Sequence, residues 1–326
     1  DEGLEENLES FFRLDYPAGA CEVIFSFASV DDPAAAIARR VADRHPEVPS
    51  TFVFDTREPG GNAKVNRLEA ALRHARFRLV LFSDGNVRVR PDFLRRAVSW
   101  FADPNVGLVS HLFRAAGAES LGSRVEALYL NGCLQPGTAL IAGVLGMPCV
   151  VGKSILLSRR AFESIGGVSV LRDYLAEDYL LGRQIQRAGY RVRLSADFLD
   201  TTEIRKPARA AWARHRRWAM MRRRLGGPLY AGELLSVALP WFAAAMLSPS
   251  AVARAAAAAL LAARWGLEAW TARRTGRPLA VGDLALLPIR DLAAAGVFWA
   301  GLTGRSVAWR GRPLRIGKKT RILKAA

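Results

Sequence analysis

The sequence predicts an α/β fold with an open, mostly parallel sheet, followed by helices that enter a membrane. Over residues 21–110, short apolar runs alternate with stretches of helical spacing, which is typical of strand–helix repeats. The last third of the 326-residue chain instead contains long uncharged segments. An α/β domain is therefore expected over residues 1–200, and membrane-associated segments after it.

Four strands and three helices are predicted in the first part of the chain. The strand-like runs are rich in Val, Phe and Ile and lie at 22–29, 51–55, 78–83 and 106–110. The helical stretches between them are 32–45, 64–75 and 91–102. Pro33 follows an aspartate at the start of the first helix, as is common in a first helical turn. Ligands of such sheets bind beyond the carboxyl ends of the strands, where Asp32 and Asp84 fall.

The positive charge is concentrated in two places. The chain has 47 Lys and Arg against 30 Asp and Glu, a net charge of +17. Residues 201–227 hold nine Lys/Arg and one Glu, and residues 305–326 hold eight with no acid. These bases flank apolar segments and are not interleaved with aromatics on a folded platform, which argues against a nucleic-acid partner. The two stretches are interpreted as a basic interfacial segment and a basic cytosolic tail.

The region between the two basic stretches, residues 228–304, is predicted to hold transmembrane or re-entrant helices. Residues 234–253 and 255–270 are long and apolar enough to be two spans. Residues 284–304 are interrupted by Pro288 and the charged pair Arg290-Asp291, so they are expected to be re-entrant or to lie at the interface. Three full spans and a soluble helical bundle are the alternatives. The uncharged stretch 127–152 is rich in Gly and is interpreted as an apolar wall of an acceptor pocket.

Cysteine, histidine and the start of the chain add three narrower points. Three Cys form no CxxC pair, and with four His they give no zinc-ligand spacing. The chain begins at Asp1 without a Met or a signal-peptide pattern, and it is interpreted as a fragment.

Short motifs that could carry chemistry follow one another in order. They are VDDP at 30–33, GGNAKVN at 60–66, SDGNV at 83–87, AEDY at 176–179 and RHRRW at 214–218. Each alone is typical of a turn, a helix cap or a solvated charge. Together they favour one reaction, the transfer of a sugar from a nucleotide-diphosphate donor.

Each reaction step asks for a residue type that these motifs supply. Mg²⁺ or Mn²⁺ on a diphosphate prefers a carboxylate on a rigid support, which Asp84 provides at a strand tip. The attacking hydroxyl needs a base, and Asp178 fits that role. Arg214 and Arg217 could stabilise the departing diphosphate. Trp218 could stack against the sugar or shape the acceptor entrance.

These motifs resemble those of the ceramide glucosyltransferases. In that family, single aspartates called D1, D2 and D3 precede a (Q/R)xxRW motif; here they match Asp32, Asp84, Asp178 and residues 214–218. Residues 61–66 resemble the family's GxNxKxN element, and the segments 152–154 and 309–312 also resemble the family. Many relatives of this fold carry Asp-x-Asp at D2, whereas here Asn86 replaces the second acid.

The resemblance implies a GT-A fold, a divalent metal (Mg²⁺ or Mn²⁺) at Asp84, and UDP-glucose as the donor. It implies an inverting transfer to a membrane lipid, with ceramide as the favoured acceptor and β-glucosylceramide as the product. The enzyme would be integral to a bacterial inner membrane, with its site on the cytosolic face. Family members begin with a membrane helix and a first strand, and the resemblance implies that the given sequence starts after both. The donor- and metal-binding residues implied are Asp32, Gly61, Asn62, Lys64, Asp84 and Glu177.

Three other functions compete with this interpretation. A related bacterial transferase that acts on hopanoid lipids shares the motif order. A processive polysaccharide synthase would be expected to show Asp-x-Asp, a Gln-type QxxRW motif and more membrane helices. A lipid-binding or scaffolding protein without catalysis would not explain three well-placed aspartates.

Overall fold

The chain separates into two compact units. The computed structural model describes residues 2–17, 19–304, 306–309 and 312–323. The first unit comprises residues 1–116 and 138–202, and the second comprises 117–137 and 203–326. Part of the predicted basic tail, namely 305, 310–311 and 324–326, lies outside the described residues.

Within the described residues, ten strands form three sheets. They are β1 (Val23–Phe27), β2 (Ser50–Phe54), β3 (Leu79–Ser83), β4 (Val87–Arg88), β5 (Val106–Ala116), β6 (Ser154–Ser158), β7 (Arg191–Thr202), β8 (Ser306–Trp309), β9 (Arg312–Ile316) and β10 (Ile322–Leu323). The four strands predicted from sequence are β1, β2, β3 and β5.

The α-helices are α1 (Leu4–Phe12), α2 (Pro33–Asp43), α3 (Ala63–Leu72), α4 (Phe93–Ser99), α5 (Leu121–Tyr129), α6 (Gln135–Val144), α7 (Arg159–Ser164), α8 (Glu177–Arg187), α9 (Ala208–Gly226), α10 (Ala238–Met246), α11 (Ala251–Arg274), α12 (Val281–Leu284) and α13 (Leu287–Thr303). A π-helical turn, Leu130–Leu134, joins α5 to α6. Short 3₁₀ segments are Trp100–Ala102, Val168–Leu171, Gly227–Ser236 and Lys318–Thr320.

The first unit has a parallel two-stranded sheet and a mixed five-stranded sheet, which confirms the α/β class but corrects the prediction of a mostly parallel sheet for the larger one. β1 and β2 pair in parallel, while the five-stranded sheet has the order β3-β6-β5-β7-β4. Within it, β5 and β7 are parallel and the other three pairings are antiparallel. The reason is that β6, from the second half of the unit, inserts between β3 and β5. The apolar pattern of a strand indicates that it is buried and does not encode its direction.

A hydrophobic core cluster of the first unit includes residues of β3 and of its neighbours in the sheet. Phe82 on β3, Leu108 on β5 and Leu157 on β6 are buried together with Val65 on α3 and Ile185 on α8. Burying side chains of this size stabilises the fold by about 1.5–3 kcal/mol each. The same cluster therefore fixes α3, β3 and α8 relative to one another, and these elements carry the predicted site residues.

The second unit does not contain the first of the two predicted spans. Residues 234–253 are divided among a 3₁₀ segment that ends at Ser236, the nine-residue α10 and the start of α11 at Ala251. A nine-residue helix rises about 14 Å, well short of the ~30 Å hydrocarbon core of a bilayer. The prediction of a continuous span at 234–253 is therefore wrong. This apolar run contains Pro240 and Pro249, and its helical structure is interrupted twice, after Ser236 and after Met246.

Among the described residues, one helical segment is long and apolar enough to cross a membrane. It is Val281–Thr303, a segment of 23 residues in which an 18-residue stretch reaches a mean hydropathy of 1.4. The helices Ala208–Ser236 and Ala238–Met246 reach the same threshold only when taken as one segment bent by 67°. The predicted break in 284–304 is absent from α13, because Pro288 lies in its first turn, where a missing N–H costs nothing. Helix α11 contains the second predicted span, 255–270, but it is not among the helices that are both long and apolar enough to cross a membrane.

Candidate active site

Asp84 lies in the turn that follows β3. Its backbone N–H donates to the carbonyl of Lys153 at 3.0 Å, which continues the antiparallel pairing of β3 with β6. Its own carbonyl accepts from Val87 N–H at 3.2 Å and closes the turn. The apolar strand β3 is thus followed directly by Asp84, whose side chain is 32% exposed. This is the carboxyl end of the strand, where the sequence predicts that a ligand binds.

Two lysine side chains contact the Asp84 carboxylate. Lys64 Nζ lies 3.0 Å from Oδ1, and Lys153 Nζ lies 3.4 Å from Oδ2. Burial raises the pKa of Asp84, but the two ammonium charges outweigh it and hold that pKa below its usual range. Lys153 also donates to Asn86 Oδ1 at 2.8 Å. Asn86, which stands where many relatives have the second Asp of Asp-x-Asp, therefore accepts a hydrogen bond from a lysine.

Lys64 connects Asp84 to the Glu177–Asp178 pair. Its ammonium donates to the Gly152 carbonyl at 2.9 Å and lies 3.4 Å from Glu177 Oε1. Burial lowers the pKa of Lys64, but the charges of Asp84 and Glu177 outweigh it and raise that pKa. The lysine of the GxNxKxN element is thus a charged centre shared by two predicted site motifs.

Asn62 holds the start of α3 against the loop before α8. Its Oδ1 accepts from the backbone N–H groups of Lys64 and Val65 at 3.0 and 3.2 Å, so it caps the helix. Its Nδ2 donates to the Tyr174 carbonyl at 2.7 Å and to Glu177 Oε2 at 3.1 Å. Asn62 is fully buried, and its described contacts position the neighbours of Asp84.

The neighbouring glycine of the same element is also tied to the loop before α8. The backbone N–H of Gly61 donates to Asp173 Oδ1 at 3.0 Å, a contact that sequence reasoning did not anticipate. The Gly-rich turn is therefore held at its first residues and at its helix cap.

Asp178 stands in the first turn of α8 in a tightly packed corner. Tyr179 N–H donates to its Oδ1 at 2.7 Å, and a side-chain carbon at Gly152 would lie 2.6 Å from its Oδ2. Burial, with the neighbouring charge of Glu177 second, raises the pKa of Asp178 to about 7. A carboxyl with this pKa is partly ionised at neutral pH and is suited to accept a proton.

Asp32 is the N-cap of α2. Its Oδ1 accepts from Ala34 N–H at 3.0 Å, and Pro33 follows as the first helical residue. Within the part of the chain that the structure describes, no hydrogen bond or ion pair joins Asp32 to the Asp84 cluster. Its predicted role in donor binding stays a prediction.

Arg214, in the second unit, is engaged by two buried glutamates. Its Nε donates to Glu126 Oε1 at 2.9 Å and its Nη1 donates to Glu203 Oε1 at 2.8 Å. Both glutamates are 2% exposed. His215 Nε2 lies 2.8 Å from the same Glu126 oxygen. Sequence reasoning missed both carboxylates, and the predicted contact of Arg214 with a diphosphate stays a prediction.

Trp218 packs on the residues one turn earlier in α9. The Arg214 guanidinium lies 5.3 Å from its ring centroid, and His215 meets it edge-on at 5.2 Å. Arg214, His215 and Trp218 therefore pack against one another along α9. Arg217 lies on the same helix and is partly exposed.

Comparison with known proteins identifies the family. The model of Glycosyl transferase family 21 matches residues 1–322. The chain belongs to this family. It is 30% identical over 196 residues to ceramide glucosyltransferase 1 of Caenorhabditis elegans, and 30% identical over 198 residues to ceramide glucosyltransferase 3 of that organism. Each match covers 60% of this chain and about two fifths of the relative, 41% and 42%.

A solved structure shares the fold of this family 21 protein. A mannosyltransferase from Pyrobaculum calidifontis, in complex with GDP-mannose and Mn²⁺, aligns over 91% of this chain and 83% of its own, with a TM-score of 0.53 and 23% identity. The GT-A-like architecture predicted from the motifs is therefore confirmed.

The side chains around Asp84, the predicted metal residue of this family 21 protein, offer few ligands for a metal ion. Among the residues placed in the structure, no group of three or more His, Cys, Asp or Glu is arranged for a metal ion. Asp84 offers one carboxylate, and its neighbour Asn86 offers an amide oxygen that already accepts from Lys153. This donor set fits a divalent cation that shares its coordination with phosphate oxygens, and it does not fit a cation held by the protein alone.

Proposed function

We propose that the protein is an inverting glycosyltransferase that moves a sugar from a UDP-sugar to the hydroxyl of a membrane lipid. Glucose is the favoured sugar and ceramide the favoured acceptor, because the curated relatives are ceramide glucosyltransferases. The observation that carries the proposal is Asp178, whose raised pKa of about 7 suits a base, beside the cluster of Asp84 and Lys64.

Asp178 acts as the base in a single displacement. The acceptor oxygen forms a bond to the anomeric carbon as the bond from that carbon to the diphosphate oxygen breaks. The hydroxyl proton passes to the Asp178 carboxylate, and the UDP departs with the bonding electrons. An attack opposite the leaving group turns an α-linked donor into a β-glycoside.

The chain's own cations stabilise the charge that develops on the departing diphosphate. Lys64 and Lys153 supply two ammonium groups next to Asp84. A divalent cation, Mg²⁺ or Mn²⁺, would be held by Asp84 together with phosphate oxygens and would neutralise part of the same charge. Asp32, Gly61, Asn62 and Glu177 complete the proposed donor-binding set, and Arg214, Arg217 and Trp218 are the catalytic residues proposed on α9.

A lipid acceptor and membrane association are supported by apolar side chains on the surface of both units. In α6, Val144 is 71% exposed, and Leu140 on the same helix is also exposed. In the second unit Leu247 and Val252 are 87% and 78% exposed. Exposed apolar side chains in such numbers are typical of a surface that meets lipid. We place the enzyme in a bacterial inner membrane, with its catalytic unit on the cytosolic side.

The test is a transfer assay with defined lipids. The purified protein is reconstituted in vesicles with ceramide or with a hopanoid polyol, and supplied with UDP-glucose, UDP-galactose or UDP-N-acetylglucosamine. Lipid mass spectrometry identifies the product, and NMR of the anomeric proton gives its configuration. We expect β-glucosylceramide. A glycosylated hopanoid would show that the acceptor is a hopanoid and not ceramide. An α-linked product would refute the single displacement.

A further inference from the structure

Asp84 is contacted by two positive charges that come from different elements. Lys64 reaches it from α3, and Lys153 reaches it from the residue just before β6. A divalent cation that approached this carboxylate would meet two ammonium groups within about 3.5 Å of its ligand. Like charges at such a distance repel strongly in a partly buried site. The same two charges would attract a diphosphate.

The two lysines differ in the acceptors of their described contacts. Lys64 has three described oxygen partners: the Gly152 carbonyl, Asp84 and, at 3.4 Å, Glu177. Lys153 lies 3.4 Å from Asp84 and donates at 2.8 Å to the neutral amide of Asn86. Its bond to a neutral acceptor is weaker than one to a charged acceptor. A phosphate oxygen is charged and would therefore displace the Asn86 amide from Lys153, whereas at Lys64 it would have to compete with the carboxylates of Asp84 and Glu177.

From this geometry we infer that Lys153 is a diphosphate ligand that keeps a metal ion off Asp84 until the nucleotide has bound. In the free protein its ammonium contacts Asp84 and Asn86. When a nucleoside diphosphate binds, Lys153 exchanges these partners for phosphate oxygens, and Asp84 becomes available to a divalent cation. Lys64 stays in place as the fixed positive charge. This inference rests on the proposed function, since it presumes a diphosphate-containing donor.

The exchange has a thermodynamic consequence that can be measured without turnover. Metal and nucleotide bind cooperatively, and each raises the affinity of the other by the same factor. Removing the Lys153 ammonium weakens nucleotide binding in the absence of metal and strengthens metal binding in the absence of nucleotide. A residue that only supported the fold would not move these two affinities in opposite directions.

The experiment uses Mn²⁺ and UDP as probes of the 326-residue chain in detergent. Electron paramagnetic resonance of free Mn²⁺ gives metal affinity with and without UDP, and calorimetry in EDTA gives UDP affinity without metal. For the parent we expect UDP to raise Mn²⁺ affinity about tenfold or more. For Lys153→Met we expect UDP affinity in EDTA to fall about tenfold and Mn²⁺ affinity without UDP to rise by several fold.

Two further variants keep the result interpretable. Lys153→Arg retains the charge and should restore UDP affinity in EDTA to near the parent value, which separates charge from folding. Lys318→Met removes an exposed lysine and should change neither affinity. Equal Mn²⁺ affinity of the parent with and without UDP, or a Lys153→Met variant with both affinities unchanged, overturns the inference. In that case transfer from UDP-glucose would still support the proposed function, whereas failure to bind UDP under any condition would overturn both.

Discussion

The Asp178 carboxylate occupies the space that a side chain at Gly152 would need. An added Cβ at Gly152 would lie 2.6 Å from Asp178 Oδ2 and 3.2 Å from its Cγ. The Gly152 carbonyl also accepts from Lys64 Nζ at 2.9 Å. Gly152 therefore sets the position of the proposed base and of a neighbouring cation, although it carries no functional group itself.

Gly152→Ala is expected to displace the Asp178 carboxylate without removing it. A shift of about 1 Å in a catalytic group can lower turnover about 100-fold, so kcat should fall by about 10- to 100-fold while the KM for the UDP-sugar changes little. Steady-state kinetics in the lipid assay give both values. Gly266→Ala, in α11, is the matched control, because nothing lies within 4 Å of its added carbon. A Gly152→Ala enzyme with parental kcat would show that this contact does not position the base.

The raised pKa of Asp178 predicts how activity depends on pH. A base must be ionised to act, so protonation of Asp178 removes activity as the pH falls through its folded pKa of about 7. The value of kcat/KM reports groups of the free enzyme, and it should fall about tenfold per pH unit below pH 7. A profile that stays flat from pH 8 to pH 5 would contradict the assignment. The parent is measured over this range in buffers of constant ionic strength.

Glu126 is expected to stabilise the second unit. It is buried with Arg214 and His215, and Lys206 Nζ lies 3.5 Å from its Oε2. Breaking a buried ion pair on one side typically costs about 3–5 kcal/mol, because the remaining cations lose their partner. Glu126→Gln should therefore lower the Tm clearly.

The control for Glu126→Gln is a glutamate in an exposed pair of the same unit. Glu119 is paired with Arg205 at 2.9 Å, and both side chains are more than half exposed. Such pairs contribute about 0–1 kcal/mol, so Glu119→Gln should leave the Tm almost unchanged. Equal Tm values for the two variants, from thermal unfolding in the same detergent, would show that the buried network does not stabilise the fold.

The sequence predicted the local elements of the first unit better than their arrangement. Strands such as β3 were found because apolar runs end at turn residues, and Asp84 was placed correctly at a strand tip. The insertion of β6 beside β3 was not predicted, because strand order depends on pairing between distant residues. That insertion brings Lys153 to Asp84, since Ser154 pairs with Ser83. An assumed antiparallel pairing of these two strands would have revealed the contact.

Charges within the apolar C-terminal segments show a second limit of sequence reasoning. Arg290 was interpreted as a break in a membrane segment, yet it is fully buried and binds both oxygens of Glu268 at 2.9 Å. Its Nε also donates to Asp291 at 2.8 Å. A sequence shows that a helix carries a charge, but not which side chain on another helix neutralises it. Arg214 was likewise recognised by its motif, while its partners Glu126 and Glu203 were not.

The central claim is that Asp178 is the base of the transfer reaction, and Asp178→Asn tests it most directly. The amide keeps the shape of the side chain and removes its basicity, so kcat should fall by at least about 100-fold. Because the proposed donor-binding groups belong to the Asp84 and Lys64 cluster, the Kd for UDP should stay within about threefold of the parent value. The decisive measurement is turnover of UDP-glucose with ceramide, paired with UDP binding by calorimetry on the same preparation. A large loss of kcat with retained UDP binding is the predicted result, and near-parental turnover by Asp178→Asn would contradict the claim.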